Sequence, residues 1–328
     1  MNVAILGAGA WGTGLAISLA ARHRVVLWAR DPAQAAAIQQ SRRNARYLPE
    51  VELPESILVS ADFSSALLAS DLVLIVTPTS HLREVADRLR AEGSDRPLLW
   101  ACKGFERASG KLPHEVVGEV LGEHIRCGAL SGPSFALEVA EGRPTALTLA
   151  ASDASFAQRW AHELHQPKLR VYFSTDLSGV EICGAVKNVM AIAAGISDGL
   201  GLGLNARAAL ITRGLAELTR LGVAIGGRAE TFMGLAGVGD LILTCTGELS
   251  RNRRVGLLLA RGDPLEGILK VLGHVAEGVY SAQAIQALAE KKGVEMPITR
   301  AVCAVLFGGA RPGEAVRQLL ARDPKEEG

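Results

Sequence analysis

Among the residues able to do chemistry, one lysine stands apart. Lys187 sits in ICGAVKNVMAIAAGISDGLGLGLNARAAL, an otherwise apolar, small-residue run that starts at Ile182. The chain has 8 lysines against 27 arginines, so a basic residue inside an apolar helical pattern is poorly explained as a solubility charge. A buried ammonium is costly unless something pairs with it or uses it. Lysine, unlike arginine, can also release its proton at accessible pH. Apolar neighbours such as Ile182, Val186 and Val189 would lower its pKa toward working pH, as general acid or base catalysis requires. The competing reading is a helix-edge lysine with its stem on apolar surface and its head in water.

A second constellation is Gly7-Ala8-Gly9-Ala10-Trp11-Gly12, which follows the run NVAIL and opens the helical pattern TGLAISLAAR. Glycines at this spacing permit a tight turn, let the backbone approach a pyrophosphate, and bring helix and strand together. The helix N-terminus supplies unpaired N–H groups and a positive dipole end for the anion. The second strand ends in WARD. An arginine at that tip accepts a 2′-phosphate or stacks on adenine, so Arg30 points to NADP or to dual use with NAD. The competing reading is that Arg30 and Asp31 cap the next helix.

Three further groups carry charge into glycine-rich or helix-start contexts. Lys103 lies just beyond a strand, where open α/β sheets place ligands. Asp240 follows Gly237-Val238-Gly239, which reads as a flexible turn; it can accept from a substrate hydroxyl, orient Lys187, or cap the helix LILTC. Ser250-Arg251-Asn252 joins a capping serine, an arginine fork and an amide at a helix start, a combination suited to a phosphate. Arg253 and Arg254 read as a solvated helix face. His162 and His165 lie three apart with no third ligand around them, so no metal site is expected.

The elements that must position these residues divide the chain in two. Up to about residue 178, short Val, Ile and Leu-rich runs alternate with helical segments: 2–6, 24–29, 57–60, 71–77, 97–102, 126–130, 146–150 and 169–173 read as strands. Nearly continuous apolar runs such as LVLIV suit strands covered on both faces, and the rhythm is that of a doubly wound α/β sheet. After Ser174 the pattern turns helical throughout. The expected organisation is a Rossmann-type dinucleotide-binding domain over 1–178 and an all-α substrate-binding domain over 179–328.

With 328 residues the chain exceeds a typical single core, and 48% hydrophobic with 21% charged residues is a globular balance. A formal net charge of +1 argues against bulk attraction to nucleic acid or an anionic membrane surface. Five scattered cysteines without a C-x-x-C pair suggest neither disulfides nor zinc. No export signal precedes NVAIL and no run avoids charge for the ~20 residues of a membrane span, so a cytoplasmic location is expected.

Taken together, GAGAWGT, the WARD tip, CKG, SGPSFA, CGAVKNVMAIAAGISDGL, GVGDLILTCTGELSRNRRVG and AEGV make the chain similar, over essentially its whole length, to the bacterial-type NAD(P)-dependent glycerol-3-phosphate dehydrogenases. The resemblance implies reduction of dihydroxyacetone phosphate to sn-glycerol 3-phosphate, Lys187 as the proton-transfer residue, and Lys103 and Asp240 as its catalytic companions. It implies substrate contacts from Lys103, Gly132, Ser134, Lys187, Asn188, Asp240, Ser250, Arg251 and Asn252. Coenzyme contacts are implied for Gly7, Gly9, Ala10, Trp11, Gly12, Arg30, Tyr47, Lys103, Ala136, Arg251, Val275 and Glu277. A homodimer is expected, with no nucleic-acid or membrane partner. Gly14 stands where alanine is usual, at an expected cost in helix propensity alone. Two alternatives remain: a two-domain NAD(P)-dependent hydroxy-acid dehydrogenase, and a non-catalytic NAD(P)-binding redox sensor.

Overall fold

The computed structural model describes residues 1–272 and 276–322. Within the first 181 residues, eight of the ten strands form one sheet. These are β1 (Asn2–Leu6), β2 (Arg24–Trp28), β5 (Leu58–Ser60), β6 (Leu72–Ile75), β7 (Leu98–Trp100), β8 (Cys127–Ser131), β9 (Thr145–Ala150) and β10 (Leu169–Ser174). Their order is β10-β9-β8-β7-β6-β1-β2-β5. All eight expected runs lie in it. Every pairing is parallel except β8 with β9, so β9 and β10 run against the rest. The remaining strands, β3 (Arg43–Asn44) and β4 (Leu48–Glu52), form a small antiparallel pair.

Alternation along the pleat explains the continuous apolar runs. Val3, Ile5, Leu72, Leu74 and Leu99 pack into one core cluster, while Ala4, Leu6, Val73, Ile75, Leu98 and Trp100 pack into another. Successive side chains point to opposite faces, so a strand covered twice must be apolar at every position. Helix Ala10–Leu19 lies against the sheet at the first turn, and glycine decides how closely. A methyl group on Gly12 would sit 1.9 Å from the Gly7 carbonyl oxygen, and Gly7 itself has φ +127. Gly14 has a packing role as well: a methyl there would approach the Ala136 carbonyl oxygen to 2.7 Å, so the residue allows contact with helix Ala136–Ala140. That is more than the propensity cost expected from sequence.

The second compact unit, 182–328, has no strand among its described residues. Helix Leu177–Gly199 starts in the first unit and runs into the second. By length and composition it could cross a membrane, with a mean hydropathy of 1.4 over its best window, but that window is wholly buried in the fold. Around it stand Gly203–Ala224, Asp240–Thr246, Arg251–Ala260, Glu277–Lys292 and Pro297–Phe307. The five cysteines are free thiols, four of them buried.

One buried acid in this unit has a stability consequence. Glu217, 1% exposed on helix Gly203–Ala224, accepts hydrogen bonds from Ile298 N (2.6 Å), Thr299 N (3.2 Å) and Thr299 Oγ1 (3.2 Å), capping helix Pro297–Phe307. Burial pushes its carboxyl up to about 6 from 4.5, against the pull of those donors. The folded state therefore holds the proton more tightly than the unfolded chain does. The resulting stability is fully present below about pH 4.5 and is lost as pH rises through 6, an amount of about 2 kcal/mol. Glu217→Gln is expected to flatten this part of the pH profile, which denaturant midpoints of both proteins between pH 4.5 and 7 will measure. Parallel profiles would count against the assignment.

Candidate active site

In the first unit the expected site residues gather at one edge of the sheet. Gly7 follows β1, Arg30 follows β2, Lys103 follows β7 and Gly132 follows β8. These four strands run the same way, so all four residues stand beyond carboxyl ends, where such sheets bind ligands. The glycine loop is held from behind. The Ala8 carbonyl accepts from Gln34 Nε2 and from Asn44 Nδ2, each at 3.0 Å, and Asn44 Nδ2 also reaches Thr13 Oγ1 at 2.8 Å. Asn44, 1% exposed, was not foreseen; it lies in a two-residue strand that carries no signal. Tyr47 follows in the turn to β4, with its N–H on the Asn44 carbonyl and Arg46 over its ring.

The front of the loop suits an anion. Gly9 is the N-cap of helix Ala10–Leu19 and no side chain caps the helix; a methyl group on Gly9 would meet nothing within 4 Å. Ala10 and Trp11 form the first turn, whose N–H groups and dipole favour a pyrophosphate. The residues thus fit a dinucleotide. At the β2 tip the two readings separate: Asp31 Oδ1 accepts from Ala33 N at 2.9 Å as a helix cap, while Arg30 is exposed, 3.4 Å from His81 Nδ1 and 3.9 Å from Glu84 Oε2.

Lys103 is drawn to the neighbouring strand end. Its Nζ lies 3.4 Å from the Gly132 carbonyl oxygen, which also accepts from Ser134 Oγ at 3.0 Å. Gly132 has φ +134, a conformation open to glycine. Ala136 opens the next helix, against Gly14. Lys103, Gly132, Ser134 and Ala136 therefore form a second corner of the same edge.

In the second unit, Lys187 is 6% exposed and Asp240 1%. Lys187 Nζ donates to Asp240 Oδ1 at 2.5 Å and to Thr244 Oγ1 at 3.1 Å. The helix-edge reading of Lys187 is thereby set aside. Desolvation is also not the only influence on its proton: burial disfavours the ammonium, whereas an adjoining carboxylate favours it. Asp240 does not cap its helix. Gly239 holds that place, and the carboxylate turns to Lys187 instead. The preceding segment is no flexible turn either. Residues Leu235–Gly239 form a π-helical turn in which a methyl on Gly237 would lie 2.0 Å from the Phe232 carbonyl oxygen.

Thr244 was missed by sequence reasoning. Its signal is the i, i+4 spacing from Asp240, which puts hydroxyl and carboxylate on one helix face. Thr244 Oγ1 donates its hydrogen to the Asp240 carbonyl oxygen at 2.6 Å, so it meets Lys187 as an acceptor. The neighbouring Cys245 offers no rival nucleophile: burial pushes its thiol up to about 12.

Next to Lys187, Asn188 begins a chain of amides. Asn252 Nδ2 donates to Asn188 Oδ1 at 2.9 Å, and Asn252 Oδ1 accepts from Gly278 N at 3.1 Å. Ser250 caps helix Arg251–Ala260 by accepting from Arg253 N at 3.2 Å, and Arg251 stands exposed beside it. Arg253 is not part of a solvated face, since its side chain is 15% exposed and paired with Asp198. Glu277 begins helix Glu277–Lys292, adjoining Gly278. Val275 lies outside the described residues. The structure thus brings Lys187, Asn188, Asp240, Asn252 and the start of the Glu277 helix together within this unit. No cluster of potential metal ligands occurs among the described residues.

Comparison with known proteins agrees with this layout. Residues 2–157 match the family model for the NAD-dependent glycerol-3-phosphate dehydrogenase N-terminus, and residues 176–317 match that for the C-terminus. The glycerol-3-phosphate dehydrogenase of Dechloromonas aromatica, named as NAD(P)+-dependent, is 58% identical over 327 residues, covering 100% of this chain and 99% of that protein. Its namesake from Aromatoleum aromaticum is 58% identical over 328 residues and covers both chains completely. A crystal structure of glycerol-3-phosphate dehydrogenase from Coxiella burnetii superposes with a TM-score of 0.94 at 43% identity, covering 98% of this chain and 99% of that one. Matches to both family models, end to end with such relatives, place the chain in the NAD(P)-dependent glycerol-3-phosphate dehydrogenase family.

Proposed function

We propose that this protein reversibly reduces dihydroxyacetone phosphate to sn-glycerol 3-phosphate with NADH or NADPH, supplying glycerol 3-phosphate for phospholipid synthesis. The observation that carries the reading is the buried Lys187–Asp240 pair at 2.5 Å, a proton-carrying group held in place by a fixed counter-charge. A homodimer in the cytoplasm belongs to the same proposal.

The coenzyme, when bound, supplies or accepts the hydride. Gly7, Gly9, Ala10, Trp11 and Gly12 would hold its pyrophosphate, with Arg30 and Tyr47 at the adenosine end and Lys103, Ala136, Arg251 and Glu277 also in contact. Lys187 Nζ gives a proton to the C2 oxygen during reduction and takes it back during oxidation. Asp240 offsets the charge of the ammonium and, with Thr244, fixes the direction of Nζ. Lys103 orients the substrate oxygen and, with Gly132 and Ser134, lines its side of the substrate. Arg251 grips the phosphate at the N-terminus of helix Arg251–Ala260, where dipole and charge act together. Ser250, Asn188 and Asn252 complete that end.

Steady-state kinetics with dihydroxyacetone phosphate and each reduced coenzyme test substrate and cofactor at once. Turnover is expected with both coenzymes, and inertness toward this substrate alongside activity on keto acids would overturn the proposal. Lys187→Ala should lower turnover at least ~100-fold, the scale of a lost general acid, with coenzyme binding by fluorescence titration retained. Near-normal turnover would remove the assigned role. For Arg251→Ala a raised KM for dihydroxyacetone phosphate is expected, and an unchanged saturation curve would take the residue out of the phosphate site.

A further inference from the structure

Asp198 lies next to the C-terminal residue of helix Leu177–Gly199. A carboxylate there meets the negative end of the helix dipole, and with its side chain only 12% exposed it needs cations close by. Two arginines provide them. Arg253 Nε and Nη2 lie 2.8 and 2.7 Å from Asp198 Oδ2, and Arg207 Nη1 lies 3.1 Å from the same oxygen. Arg207 comes from helix Gly203–Ala224, and Arg253 from the first turn of helix Arg251–Ala260.

The same turn holds the candidate phosphate grip. The backbone at Arg253 is pressed against helix Leu177–Gly199, since a methyl group on Gly195 would sit 2.0 Å from the Arg253 carbonyl oxygen. Contact between two backbones fixes their separation, and side-chain bonds set the rotation of the shorter helix about its own axis. Asn252 supplies one such bond through Asn188, and the planar guanidinium of Arg253, with two nitrogens on one carboxylate oxygen, supplies another with a fixed direction. Arg251 projects from the turn so held.

We propose that Asp198 is a positioning residue for phosphate recognition: by clamping Arg253 it fixes the rotation of the first turn of helix Arg251–Ala260, and with it the direction of the Arg251 side chain. This rests on the reading of Arg251 as the phosphate grip. Asp198 itself touches no substrate.

The test is steady-state kinetics on dihydroxyacetone phosphate, with inorganic phosphate as competing inhibitor. The proteins are the wild type, Asp198→Asn, Arg253→Lys, Arg251→Ala and the double variant Asp198→Asn/Arg251→Ala. Asp198→Asn and Arg253→Lys, the latter keeping the charge without the fork, should each raise KM and the phosphate inhibition constant by roughly tenfold while kcat changes by less than about threefold. In the double variant, Asp198→Asn should add nothing to Arg251→Ala. The proposal is overturned if both single variants keep wild-type KM while Arg251→Ala raises it, if the two effects multiply in the double variant, or if kcat falls at constant KM. Should Arg251→Ala itself leave KM and phosphate inhibition unchanged, the phosphate-grip reading fails and the proposal falls with it. If Asp198→Asn does not fold, Arg253→Lys decides.

Discussion

The buried ammonium of Lys187 constrains how the elements around it in the second unit are placed. Around Lys187, residues Ile182, Val186, Val189 and Met190 are fully buried, and an ammonium among them without a partner would cost several kcal/mol. Asp240 and Thr244 remove that cost at 2.5 and 3.1 Å, but they do so only while helix Asp240–Thr246 keeps its place. The π-helical turn before it, wedged on the Phe232 backbone at Gly237, sets that place. A local irregularity of the chain therefore serves the position of one carboxylate.

Precision around Lys187 comes from backbones in contact rather than from long side chains. A methyl group on Gly256 would lie 2.0 Å from the Ile192 carbonyl oxygen, and one on Gly278 would lie 2.6 Å from that of Asn188. At such separations two helices have almost no slack, and the amide chain Asn188–Asn252–Gly278 locks their register. Site residues carried on packed helices are held more exactly than residues on loops. The small residues that make the run around Lys187 look bland are thus the means by which the neighbouring helices reach it.

The legibility of this chain from sequence follows the same division between local and distant causes. The sheet strands were readable because strands buried on both faces must be apolar throughout, as in Leu72–Ile75. The pair Arg43–Asn44 with Leu48–Glu52 was not, because its residues are short in run, polar and mostly exposed. Nothing local tells β9 to run against β8, since a run such as ALTLA is apolar in either direction. Lys187 and the glycine loop stood out because their residue types conflict with their surroundings. Thr244, Asn44 and the Asp198 partner of Arg253 did not, because each is defined by a residue 31 or more positions away or by a helix face that only the fold displays.

The base of the Lys187 helix obeys the same rule of a buried charge with dedicated partners. Glu181, buried in its second turn, accepts from Trp100 Nε1 at 2.9 Å and from the His114 N–H at 3.0 Å, and its other oxygen meets His114 Nδ1. Burial pushes the Glu181 carboxyl up, and the carboxylate in turn raises the His114 imidazole against the effect of that ring's own burial. Trp100 closes β7, the strand whose continuation carries Lys103. An apolar replacement for Glu181 would leave the indole N–H and a backbone N–H without acceptors in the interior, each at a desolvation cost of about 1–3 kcal/mol. Glu181 is therefore fixed to Trp100 of β7 and to His114 by hydrogen bonds that it cannot exchange for water.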